Sequence, residues 1–237
     1  MTEPAETPDP TDARASAPEA DAAADDRSLA DVLAEFDYSF PQEQIEQLDA
    51  YRRVLWEWNE KMNLTRHTTL EKFVTRDVGD SWELANLLEK GERVLDVGSG
   101  GGVPGVILAI IRPDLDVSLC ESVAKKAQAL EDIVQTLGLD AKVFGARAED
   151  LLEVTTFDTL VVRAVAPMRK LLFWLAPRWD AFDRLLLIKG RNWVAERGEA
   201  RHYSLLNKLE LRKVAEYVTR GADAVSVILK IEPKEQD

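Results

Sequence analysis

The chain of 237 residues holds one cysteine and two histidines, and no apolar run approaches the ~18 residues of a membrane span. Each shortage excludes something. The lone Cys120 cannot close a disulfide within the chain, and its place in an apolar run predicts packing rather than nucleophilic chemistry. His67 and His202 leave no evident nucleophile–base pair, and no metal site is expected. The first residues lack the apolar core of a signal peptide, so a cytoplasmic protein that does not engage membranes is expected.

Charge is one-sided: 43 acidic against 30 basic side chains, a formal net charge of −13. Nearly half of that excess sits in residues 1–28, which carry eight acidic and two basic side chains, are rich in Ala and Pro, and lack aromatics. Such a segment cannot bury enough apolar surface to offset its ordering entropy, and a disordered acidic tail is expected. The rest suffices for one substantial core. A helix is expected from Pro41 to Met62, where Ile45, Leu48, Tyr51, Leu55, Trp58 and Met62 recur at three- and four-residue steps and read as core contacts. The organisation expected is a helical extension over 29–90 and an α/β domain over 91–237.

The most informative stretch is Arg93-Val94-Leu95-Asp96-Val97-Gly98-Ser99-Gly100-Gly101-Gly102-Val103-Pro104-Gly105, which reads as a buried strand, a glycine loop and a helix. Two registers coexist. Gly100-x-Gly102-x-x-Gly105, with Glu121 about 20 residues further on, fits a dinucleotide fingerprint. Asp96-x-Gly98-x-Gly100-x-Gly102 resembles the first motif of S-adenosylmethionine-dependent methyltransferases, whose carboxylate lies near the methionine ammonium; a pyrophosphate would be repelled there. Further strands are expected at 116–120, ending before Glu121, whose carboxylate could accept ribose hydroxyls, at 141–144, and at 157–162, with Arg163 beside the crevice where open α/β sheets bind ligands. Ala148-Glu149 resembles the methyltransferase residues that border adenine, although Glu149 and Asp150 also suit a helix's first turn.

From Leu29 to Ile231 the chain resembles the bacterial small-subunit (16S) ribosomal RNA guanine-N7 methyltransferases, the RsmG or glucose-inhibited division protein B family. The resemblance rests on Trp58-Asn59, Asn63-Leu64-Thr65, Asp80-Ser81, the Asp96 to Gly105 loop, Arg163-Ala164 and Lys189-Gly190, in that order. It implies a doubly wound, mostly parallel seven-stranded Rossmann-like sheet with an N-terminal helical extension. It also implies S-adenosylmethionine as cofactor, with contacts at Gly98, Val103, Glu121, Ala148, Glu149 and Arg163. Asp96, Gly100 and Gly102 join that set from the loop, and Arg163 is expected to be catalytic. Two departures stand out: Asp77 where the family usually has His after Arg76, and Val162 where it has Ser.

An acidic enzyme acting on RNA must gather positive charge locally. Residues 163–201 hold nine Lys/Arg against four acidic residues. Arg76, Arg169, Lys189 and Arg191 are expected to face RNA, with Arg66, His67 and Lys72 extending the patch. Trp174, Trp179 and Trp193 could stack bases, although packing suits at least two of them better. The expected partner is small-subunit RNA or the ribosomal subunit, bound by a monomer. The alternatives are an NAD-dependent oxidoreductase, which would want a Tyr-x-x-x-Lys pair that is absent here, and a non-catalytic RNA- or ribosome-binding protein, in which the glycine loop would be free to erode. The Asn/Asp-Pro-Pro-Tyr/Phe motif of exocyclic-amine methyltransferases is also missing; Val162-Arg163-Ala164-Val165-Ala166-Pro167 stands in its place.

Overall fold

A computed structural model describes residues 26–221 and 224–234. The acidic segment lies outside the described residues through position 25. Its end belongs to the fold instead: Ser28 caps the first helix, its side chain accepting from the Asp31 amide while the Asp31 carboxylate accepts from the Ser28 amide. Such reciprocal caps satisfy backbone donors that the first helical turn leaves free.

The helices are α1 (Leu29–Glu35), α2 (Gln42–Asn59), α3 (Leu70–Lys72), α4 (Gly79–Ala85), α5 (Gly105–Ile111), α6 (Ala124–Leu137), α7 (Ala148–Leu151), α8 (Met168–Leu175) and α9 (Trp193–His202). A widened π-helical stretch, Phe73–Val78, joins α3 to α4. The strands are β1 (Arg93–Val97), β2 (Asp116–Cys120), β3 (Lys142–Phe144), β4 (Phe157–Arg163), β5 (Phe182–Lys189), β6 (Leu209–Val218) and β7 (Val225–Pro233). They form one sheet in the order β3-β2-β1-β4-β5-β7-β6. The first five run parallel, and β7 enters antiparallel between β5 and β6. The doubly wound sheet expected from the sequence is present.

Side chains alternate across the strands and divide the core in two. Val94, Val161, Leu186 and Ile188 face a cluster shared with α1, α2, α4, α5 and α6, while Leu95, Leu160, Val162, Leu185 and Leu187 face α7, α8 and α9. In α2 the stripe residues Leu48, Tyr51 and Leu55 are fully buried. The helix is shorter than expected, ending at Asn59, whose side chain accepts from the Leu64 and Thr65 amides and folds 60–65 back toward the glycine loop. Between β1 and β4 the chain reverses its direction of growth across the sheet, and the carboxyl ends of these strands open a crevice there.

Candidate active site

The loop after β1 is held by its backbone. Gly98, Gly100 and Gly102 have φ of 71°, 56° and 107°, which residues with a Cβ rarely adopt. A Cβ on Gly98 would meet Val165 Cγ2 at 2.6 Å, and one on Gly102 would meet Val106 Cγ2 at 2.6 Å. The Gly98 and Ser99 amides donate to the Cys120 carbonyl, the Gly100 amide to Glu121 Oε2, and Tyr51 Oη to the Gly101 carbonyl. Glu121 Oε1 accepts from the Val123 amide, so this carboxylate ties the loop to the end of β2.

Asp96 is buried in β1. Its Oδ2 accepts from the Gly105 amide at 3.0 Å, and its Oδ1 has no partner among the described residues. Burial pushes its pKa up to about 7, against the lowering effect of the Gly105 hydrogen bond. An uncompensated carboxylate oxygen at this depth suits a ligand that brings a cation or a donor.

Three cavities run in series along the crevice. The first, of 260 Å³, lies over the ends of β1 and β2 between Gly98, Cys120, Ala148, Glu149, Val165 and Trp174. The second, of 430 Å³, shares Gly98 with it and continues along Gly100, Val103, His67, Asp77 and Arg163. The third, of 630 Å³, shares His67, Arg163 and Ala164 with the second and extends to Arg76, Lys189 and Arg191.

Arg163 closes the wall between the second and third cavities. Its Nη1 donates to Asp77 Oδ1 at 2.7 Å, and its Nε lies 3.0 Å from Asp80 Oδ2. Burial works against this cation, yet Asp77 and Asp80 outweigh it and lift its pKa above the ordinary arginine value. Asp77 Oδ1 also lies 2.7 Å from His67 Nδ1, and Asp80 Oδ1 accepts from Tyr217 Oη at 2.7 Å. Asp77, which replaces the family's usual His, thus holds both a guanidinium and an imidazole. Asp77 lies within the widened turn at 73–78 and is buried.

The structure brings most of the residues singled out in the sequence together. Gly98, Gly100, Val103, Ala148, Glu149 and Arg163 line the first two cavities; Asp96, Gly102 and Glu121 support the lining from behind. Glu149 and Asp150 stand in the first turn of α7, as their second reading expected, while Ala148 and Glu149 line the first cavity. Arg76, Lys189 and Arg191 reach the third cavity, whereas Arg169 pairs with Glu199 and sits over the Tyr203 ring. The basic count over 163–201 overstates free charge. Arg163, Arg169, Arg178, Arg184 and Lys189 are all ion-paired, and Arg184 binds Glu92 near the start of β5, far along the strand from the crevice. Trp179 and Trp193 pack against the core; Trp174 lines the first cavity. Cys120 donates to the Ala146 carbonyl, and burial pushes its thiol up to about 12, in keeping with a packing role. Sequence reasoning placed His67 only at the margin and missed its link to Asp77. No local signal joins the two: Asp77 follows Thr75 and Arg76, ten positions from His67.

Solved structures with this architecture include an O-methyltransferase from Bacillus cereus in complex with SAH, at TM-score 0.58 and 15% identity over 86% of this chain and 97% of that one. A variant of MtNAS in complex with S-adenosylmethionine aligns at TM-score 0.54 and 18% identity, over 86% of this chain and 78% of that one. At such identities these likenesses define the class: a Rossmann-like methyltransferase fold. The pattern of the GidB family, described as rRNA small subunit methyltransferase G, matches residues 44–223. A "Ribosomal RNA small subunit methyltransferase G" of Rhodopirellula baltica is 56% identical over 72% of this chain and 74% of its own length. One of Paracoccus denitrificans is 35% identical over 66% and 82%. The chain belongs to the rRNA small subunit methyltransferase G family.

Proposed function

We propose that this protein transfers the methyl group of S-adenosylmethionine to N7 of a guanine in small-subunit ribosomal RNA, as a cytoplasmic monomer. Every group the reading needs comes from one chain. No helix among the described residues is long and apolar enough to cross a membrane, and no His, Cys, Asp or Glu group there could hold a metal ion.

The observation that carries the reading is the run of cavities over the glycine loop, with the buried Asp96 carboxylate behind that loop and one of its oxygens unpaired. Adenosine fits the first cavity, between Ala148 and Glu149 on one side and Val165 and Trp174 on the other, with the ribose directed toward Glu121, buried at the end of β2. The methionine end fits the second, over the glycine loop, and Asp96, buried behind that loop, supplies the negative charge that draws the ammonium toward it. A dinucleotide's pyrophosphate would meet the same carboxylate and be repelled. When bound, the cofactor supplies a methyl carbon made electrophilic by a cationic sulfur.

The chain's own residues have little bond-making to do. Guanine N7 offers an in-plane lone pair and carries no proton. As the N7–carbon bond forms and the sulfur–carbon bond breaks, the bonding pair returns to sulfur and the positive charge moves to the base. No general base is required, in keeping with a site that has no nucleophile–base pair. What the residues contribute is alignment of donor and acceptor, and an acidic surround, Asp77, Asp80 and Asp96 about a single Arg163, for a cation that moves without vanishing. Incubation of purified protein with tritiated S-adenosylmethionine tests the proposal. Counts should enter small-subunit RNA and not large-subunit RNA, and their absence from both rejects it.

A further inference from the structure

We propose that the 630 Å³ cavity beyond Arg163 receives the target nucleotide turned out of its stack, and that His67, clamped by Asp77, is the residue that orients its base. The inference rests on the RNA-methylating role above and adds to it a site and a residue. A guanine stacked in an A-form helix would present N7 to a deep, narrow major groove that side chains cannot reach, whereas a base turned out of its stack, from a helix or a loop, can enter a cavity. The third cavity meets the second only along His67, Arg163 and Ala164. A methyl group passing from cofactor to target must cross that line.

Arg163 is committed at the crossing, with Nε and Nη1 held by Asp80 and Asp77. His67 is not. Its amide donates to Thr65 Oγ1 at 3.0 Å, its carbonyl accepts from Trp56 Nε1 at 3.0 Å, and its Nδ1 meets Asp77 Oδ1 at 2.7 Å. The same Asp77 oxygen accepts from Arg163, so it acts as an acceptor and Nδ1 carries the hydrogen. That leaves Nε2 without a partner among the described residues, on a ring that is 25% exposed and lines both cavities. With Nδ1–H committed to Asp77, Nε2 is the ring nitrogen left to meet a polar edge of the base. The pinned backbone keeps it in place before RNA arrives. Arg76, held at 2.9 Å by Thr219 Oγ1, stands across the same cavity as a fixed cation for the attached phosphate.

The test compares the full chain with its His67→Ala and His67→Gln variants in two measurements: calorimetric affinity for S-adenosylmethionine, and the single-turnover rate of methyl transfer to saturating small-subunit RNA. His67→Ala should lose far more in methyl transfer, about 30-fold or worse, than in affinity for the cofactor, whose methionine end shares a cavity wall with His67. His67→Gln, whose amide reaches the Nε2 position, should recover a substantial part of that rate. An unchanged rate in His67→Ala overturns the assignment. So does a matching loss of cofactor affinity in both variants, which would place His67 in the cofactor site or the folded core. Absence of transfer by the wild-type chain overturns the RNA reading itself, and the His67 assignment with it.

Discussion

The glycine loop and the acidic clasp around Arg163 lie side by side in the crevice and are assembled in opposite ways. Apart from the one from Tyr51, the hydrogen bonds that shape the loop run between Asp96 and Glu121, and most are made by backbone amides. The clasp gathers His67, Asp77, Asp80, Arg163 and Tyr217 through side chains alone, across up to 137 positions of sequence. A site made of backbone is set by local sequence. One made of ion pairs exists only once the sheet has closed.

Gly98→Val should separate the halves most sharply. Its Cβ would meet Val165 and would force a side chain into positive φ, so affinity for S-adenosylmethionine should fall more than 100-fold, roughly 3 kcal/mol, by calorimetry. Circular dichroism should show the sheet intact, because the clasp does not depend on that glycine.

Arg163→Ala should act the other way. It leaves Asp77 and Asp80 buried without their shared cation, a loss of the order that costs about 3–5 kcal/mol, and the melting temperature should drop by about 10 °C. Sequence alone led to the expectation of a folded enzyme with a slow chemical step. The ion pairs make stability the first thing lost, so activity of this variant must be measured well below its own melting point.

That difference marks how far the sequence was legible. The first four strands, the glycine loop and Glu121 at the end of the second are legible from apolar runs and spacing within short windows; the seven-stranded sheet and the place of Ala148-Glu149 come only through resemblance. Asp77 as the anchor for His67 is not legible, since nothing within ten residues of either announces the contact. The basic stretch 163–201 misled for the same reason: Glu92, Glu153 and Glu199, which neutralise its arginines, lie on other elements or beyond view of a simple count.

A pH titration sharpens the contrast from the side of the loop. The Asp96 pKa is raised to about 7, so the folded protein binds this proton more tightly than the unfolded chain. The cost of ionising Asp96 in the fold is therefore absent at low pH, grows as pH rises from about 4 to 7, and is fully present above 7. Asp96→Asn removes that cost and should raise the melting temperature of the ligand-free protein at pH 8 but not at pH 4. It should also lower cofactor affinity by more than tenfold, because the ammonium loses its counter-charge. In the wild type that affinity should strengthen from pH 6 to 8, and in the variant it should stay flat.

The smallest effect is expected at Lys189. Its ammonium is shared between the Ala166 carbonyl at 2.9 Å and Glu196 at 2.8 Å, which braces α8 against α9. Lys189→Ala should cost about 1 kcal/mol of stability and change RNA affinity less than threefold in filter binding at physiological salt. A tenfold loss with a steep change in salt dependence would return Lys189 to the phosphate-contacting residues.

The account as a whole stands on the identity of the modified atom. Small-subunit RNA methylated by the purified protein can be digested to nucleosides and resolved by mass spectrometry against standards. Transfer to a ring nitrogen that carries a free lone pair and no proton, as proposed, predicts that the added methyl appears as N7-methylguanosine. Recovery of the label in N2-methylguanosine, N6-methyladenosine or a ribose-methylated nucleoside would contradict it.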